Sequence, residues 1–169
     1  LTTAPKIPNS VTSMEDTFGL CTSLTTAPTI PNGVTNMQST FYGCTSLTAA
    51  PAIPNSVTVI ANAFYGCTSL TTVPVIPSSV IDMSFAFWEC TSLIEPPFIP
   101  SSVEFMVGAF GNCTSLATAP VIPSSVTDMS YTFDGCTLLK GQTITIPSSV
   151  TDPSDASGTW DNGPSWVKR

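Results

Sequence analysis

Apolar residues return along this chain with a period of 23. Leu1, Leu24, Leu47, Leu70, Leu93, Leu116 and Leu139 share one position. Phe18, Phe41, Phe64, Phe87, Phe110 and Phe133 share a second, and Cys21, Cys44, Cys67, Cys90, Cys113 and Cys136 a third. The residues between them are mostly Thr, Ser, Asn and Pro. A fixed period of roughly 20–50 residues marks a solenoid, in which each repeat buries its apolar face only against its neighbours. The repeats run 1–23, 24–46, 47–69, 70–92, 93–115 and 116–138, and a degenerate seventh starts at Leu139. Roughly three would suffice for a continuous core.

Within one repeat the pattern predicts several short elements. Leu24-Thr25-Thr26-Ala27 is short and Thr-rich, as a strand would be. Pro28 then removes a ladder donor and ends the pairing. Pro31-Asn32-Gly33, like Pro77-Ser78-Ser79, is turn chemistry. Val34, Met37, Phe41 and Cys44 keep a helical spacing. Val34-Thr35 also reads as a second extended piece, with helix confined to Gln38 through Tyr42 ahead of Gly43, a good helix stop. That mixed reading is the expectation. The residue before each Phe is small (Thr17, Thr40, Ala63, Ala86, Ala109, Thr132), which implies tight packing between coils. Stacked coils would sit ~4.8 Å apart and give a rod on the order of 35 Å long. The expected fold is an α/β solenoid. It has one short parallel strand per repeat on one wall, and short extended and single-turn α or 3-10 segments on the other.

Residues 1–138 form six repeats in this reading, and residues 139–169 a degenerate seventh repeat with a C-terminal cap and tail. The usual first Pro is missing between Leu138 and Ile144. Ile146 to Asp152 returns to the pattern one residue late, and Pro153 stands where Met is expected. A solenoid end must cover its last apolar layer; Trp160 is the expected lid, with Trp166 in a mobile end.

IPNSVTSMEDTF, TNMQSTFYGCTSL and IPSSVTDMSYTFDGCTLL resemble BspA-type leucine-rich repeats, found on bacterial surface proteins and in some protists. The resemblance covers residues 1–152. It implies a right-handed leucine-rich-repeat stack, a role in adhesion, and no catalytic residues. In that family a continuous strand usually joins Leu to Ile-Pro; the Ala-Pro here implies a shorter or bulged one.

Charged residues make up 9 % of the chain, against ~25 % in ordinary soluble domains. Only Lys6, Lys140, Lys168 and Arg169 are basic, and the net charge is −7. Without a basic stripe, nucleic acid and anionic membranes are poor partners. No stretch approaches the ~20 apolar residues of a membrane span. A low-charge, Thr-rich surface points to an extracellular or cell-surface setting. The chain opens at Leu1, already a repeat position, and not on a basic stretch followed by an apolar one, as expected of a fragment or processed form with repeats or a signal peptide lost upstream.

Candidate chemistry is sparse. The chain has no His, which removes His-based triads and metal sites. The Cys ladder aims its thiols in one direction, whereas a metal cluster needs converging ligands. Parallel Cβ vectors also suit disulfides poorly. The thiols therefore read as buried, free and hydrophobic in character. Glu15 and Asp16, Asp82 and Glu89, and Glu95 and Glu104 occupy unrelated repeat positions, and Asp128 and Asp134 lack calcium-loop spacing. No enzyme and no cofactor are expected.

In a repeat scaffold the variable positions face outward. The position after Phe holds Tyr42, Tyr65 and Trp88 on consecutive repeats, with Phe85 and Phe105 at other variable sites. The sixth position turns apolar through Ala52, Val75, Phe98 and Val121. Tyr42, Tyr65, Trp88, Phe85, Phe98 and Phe105 are the candidate binding surface; mutual packing on the outer wall is the competing reading. The expected function is an adhesion module for a protein or glycan on another cell or matrix, or for other copies of itself. The alternatives are a structural or self-assembling fibre or phage component, or ice binding. The last would use Thr2, Thr25, Thr48 and Thr71, a ladder that fails at Ile94, Ala117 and Lys140.

Overall fold

The computed structural model describes residues 1–150 and the backbone of residues 165–168. The repeats wind into stacked coils held by parallel contacts between equivalent positions. The most regular ladder is not at the Leu24-type segment. It runs through Ser13, Asn36, Val59, Asp82, Phe105 and Asp128, each bridging the next. At the Thr-rich segment, among the described residues, Thr3–Thr26 and Ala49–Thr72 bridge and the other pairs do not. The expected strand per repeat is thus reduced to single bridges. Pro5 and Pro28 follow two residues after Thr3 and Thr26 and withhold the N–H that pairing needs next.

The expected helix at Gln38 to Tyr42 is replaced by a run of tight turns. Met37, Ser39, Phe41 and Gly43 donate their amides to Val59, Ala61, Ala63 and Tyr65 in the next coil, at 3.0, 2.9, 2.9 and 2.7 Å. The intervening amides of Thr40, Tyr42 and Cys44 close turns onto Met37, Ser39 and Phe41, at 3.2, 3.1 and 3.1 Å. Ser39 and Gly43 have φ of 52° and 66°, a left-handed conformation no right-handed helix accepts. Every second amide therefore serves the stack. Among the described residues the helical element is a 3-10 turn, Thr137–Leu139.

The core is a set of ladders. The Leu, Phe and Met columns are buried from the second coil onward. The six Phe rings stack with centroids 5.5–5.8 Å apart and planes within 5–9°, the offset arrangement aromatic rings prefer. From the second coil onward the small residue beside Phe is buried, as tight packing between coils requires; Thr17 in the first coil is exposed. Where it is Thr it is hydrogen-bonded, as a buried hydroxyl must be. Thr40 Oγ1 lies 2.9 and 2.8 Å from the carbonyls of Met14 and Met37. Thr132 Oγ1 makes the same contacts to Met106 and Met129. A serine column adds further links: Ser56, Ser79, Ser102 and Ser125 donate to the carbonyls of Val34, Val57, Val80 and Val103 in the preceding coil.

At the C-terminal end, β1 (Thr143–Ile146) pairs in parallel with β2 (Ser165–Lys168), Ile144 opposite Trp166. Trp160, the expected lid, lies outside the described residues. The Pro-x-Ile-Pro side of the coils is different. No backbone hydrogen bond joins coils there among the described residues, and clefts open between coils. One, of about 550 Å³, lies between Ala119–Ser124 and Gln142–Ser148.

Candidate functional site

Tyr42, Tyr65 and Trp88 stand on the outer wall because each directly follows a buried Phe in a run of turns. Tyr42 and Tyr65 stack at 5.0 Å and 28°, Tyr65 and Trp88 at 6.3 Å and 16°. Phe85 joins them, tilted 55° against Trp88 at 5.6 Å. Among the described residues, Phe98 and Phe105 do not stack on this group. Phe105 is exposed on the bridge ladder, and Phe98 belongs to the Pro-rich side. The candidate surface therefore divides into a stripe of four rings and two outlying ones.

The stripe is neither a bare platform nor buried. Tyr65 covers one side of Trp88. The other side lies over the next coil at Gly108 and Gly111. A Cβ on Gly111 would collide with the indole of Trp88, and one on Gly108 would fall 2.5 Å from the Phe85 ring. The repeat pattern by itself does not mark these two glycines as partners of the aromatics. The available signal was their place in the repeat directly after the one carrying Phe85 and Trp88. From Tyr65 to Trp88, ring edges and the Tyr65 hydroxyl, rather than ring faces, are what the stripe offers.

Glu89 completes the group. Trp88 Nε1 donates to Glu89 Oε1 at 3.2 Å. Burial, the Glu89 carboxylate and Tyr42 together hold the Tyr65 phenol above its ordinary value. Phe85 and Glu89 occupy left-handed positions, φ 55° and 60°, where most other coils place Gly, Asn, Asp or Ser. Asp82 Oδ1 accepts the Ser84 amide at 2.8 Å and fixes the turn below the rings. Residues 7–139 contain carboxylates but no Lys or Arg, so this region is wholly acidic.

The thiols are free. Cys44, Cys67, Cys90, Cys113 and Cys136 are buried and Cys21 is half-buried. Among the described residues no group of three or more His, Cys, Asp or Glu is placed to hold a metal. Nor is any helix long and apolar enough to cross a membrane. In the Thr ladder, Thr71 Oγ1 donates to the Thr48 carbonyl in the preceding coil at 3.2 Å.

A stack of 23-residue coils with Leu, Phe and Cys ladders is a leucine-rich-repeat protein. The chain belongs to the BspA type leucine rich repeat region family, whose sequence model matches in 6 copies over residues 2–117 and 37–157. Among solved structures, it is similar to a leucine-rich repeat protein from Bacteroides ovatus. That likeness has a TM-score of 0.71 and 27 % identity, over 88 % of this chain and 40 % of that one. The leucine rich repeat protein TpLRR of T. pallidum aligns with a TM-score of 0.58 and 31 % identity, over 71 % of this chain and 56 % of that one. The chain thus spans less than two thirds of either relative. No curated protein matches it.

Proposed function

We propose that residues 1–138, wound as a right-handed solenoid and closed by residues 139–169, act as a non-enzymatic binding module of a secreted or cell-surface protein. The partner is a protein on another cell or on matrix. The observation that carries this reading is the Tyr42–Tyr65–Trp88 stripe with Phe85 and Glu89 beside it. Aromatic residues on a preorganised backbone bury large area at small entropic cost, and so dominate binding energies. The coils suit this because neighbouring ladders fix the rings before any partner arrives. Sugars stack best on an open ring face, and these faces are largely used between coils. That favours protein over glycan. The acidic surroundings favour a neutral or basic partner.

The test is retention of immobilised chain on a panel of matrix proteins and a glycan array, beside a Trp88→Ala variant shown to be folded. Loss of an anchor of this kind weakens binding by on the order of 2 kcal/mol. Undiminished retention of a folded Tyr42→Ala/Trp88→Ala double variant would sink the reading.

A further inference from the structure

A second surface lies on the Pro-x-Ile-Pro side of the coils. Val75, Phe98 and Val121 occupy the same position on three consecutive coils and are 86, 78 and 85 % exposed. Isolated exposed apolar residues are ordinary, but a contiguous row marks a contact. Each is flanked by Pro (Pro74, Pro97, Pro120) and followed by a buried Ile (Ile76, Ile99, Ile122). The row is therefore held rigidly. It runs into the cleft that Val121 and Ile144 help to line.

Charge identifies the occupant. The stretches 27–32, 50–55, 73–78, 96–101 and 119–124, which form this side in five consecutive coils, contain no charged residue. The whole chain carries −7, so two copies repel, and least where the contact itself sets no like charges together. This face satisfies that condition. The row also reads Val-Phe-Val in either direction. A two-fold axis through Phe98 sets Phe98 on Phe98 and each Val75 on the partner's Val121, as an isologous contact requires.

We propose that this face pairs two copies of the chain, antiparallel, about Phe98. Three side chains are few beside the ~800 Å² per partner of a standard interface. The dimer is accordingly weak and forms at high local concentration, as on a crowded surface. Added salt screens the net repulsion between copies and strengthens it. The pairing leaves the Trp88 stripe untouched and stands independently of its role.

The experiment is analytical ultracentrifugation of the full chain from micromolar to millimolar concentration, at low and high salt. A monomer–dimer equilibrium that tightens with salt is expected. Phe98→Asp, or Phe98→Ser as the milder change, should weaken it by about tenfold or more, while Trp88→Ala leaves it unchanged. In a Cys21→Ser background, Phe98→Cys should oxidise to a covalent dimer faster than Ser101→Cys. A mixture of Val75→Cys and Val121→Cys should cross-link faster than either alone. A monomer at every concentration, a dimer indifferent to Phe98→Asp, or cross-linking no faster at Phe98→Cys than at Ser101→Cys would each overturn the proposal.

Discussion

At the scale of single residues, the cysteines do more than fill space. Cys44, Cys67, Cys90, Cys113 and Cys136 each donate an S–H to the carbonyl of Phe18, Phe41, Phe64, Phe87 or Phe110 in the preceding coil, at 3.0–3.2 Å. Burial pushes Cys44 up to about 11 and Cys67 and Cys136 up to about 12, with Cys90 and Cys113 also well above 9.0. In the unfolded chain these thiols ionise near the ordinary value of roughly 8.5–9. Below that pH both states hold the proton and stability is undiminished. Above it only the unfolded state gains by ionising, so stability falls until the folded thiols ionise too. Each thiol contributes up to about 1.4 kcal/mol per pH unit in that window. Urea midpoints should therefore drop steeply between pH 9 and 11; a flat profile would count against the buried ladder. Thiol labelling gives a second check. Cys21, in the first coil, is half-buried and should label in the native state, while the five others wait for unfolding. Rapid native labelling of more than one thiol per chain would contradict this.

At the scale of the coil, the period of the ladders was legible in the sequence and the backbone path was not. Leu24, Met37, Phe41 and Cys44 were read as core from their recurrence, and they are core. The three-four-three spacing of Val34, Met37, Phe41 and Cys44 mimics a helix, because a run of tight turns also returns side chains to one face every few residues. The signal against helix was present in Gly43, Gly66 and Gly135, and in Asn62 and Asn112, all in the left-handed region. Leu20, Phe85, Glu89 and Tyr131 take that conformation too, and they hid the pattern. The stripe was legible as a row of rings; its stacking over Gly108 and Gly111 was not, because that depends on how the next coil aligns. This gives a prediction. Gly111→Ala should destabilise by about 1–3 kcal/mol, as overpacking does, since the new Cβ collides with the indole. In a Trp88→Ala background the same change should cost far less. A double-mutant cycle on urea unfolding measures the coupling; additive effects would show that the ring does not lie there.

At the scale of the molecule, the structure is nearly one-dimensional. The hydrogen bonds, ring stacks and S–H contacts that leave a coil join it to the next one, so stability should behave as a sum over coils and their interfaces. Removing residues 47–69 in register tests this. The deletion joins Ser46 to Leu70. It would bring Met37 against the Asp82 carbonyl, Phe41 onto Phe87, Cys90 to the Phe41 carbonyl and Tyr42 beside Trp88. Every lost partner is replaced by its equivalent from the following coil. The excised coil carries no charged residue, so electrostatics are unchanged. The shortened chain should fold, with a smaller denaturant slope because less surface is buried, and with lower stability for want of one interface. Deleting only 47–58 should behave otherwise. It would set Val59 where Leu47 had been, put polar positions against the Leu and Phe columns, and leave the alternate amides facing the wrong carbonyls. Circular dichroism and urea unfolding of the two deletions separate the cases. If the half-coil deletion folds as well as the whole-coil one, the register of the ladders is not what specifies the stack.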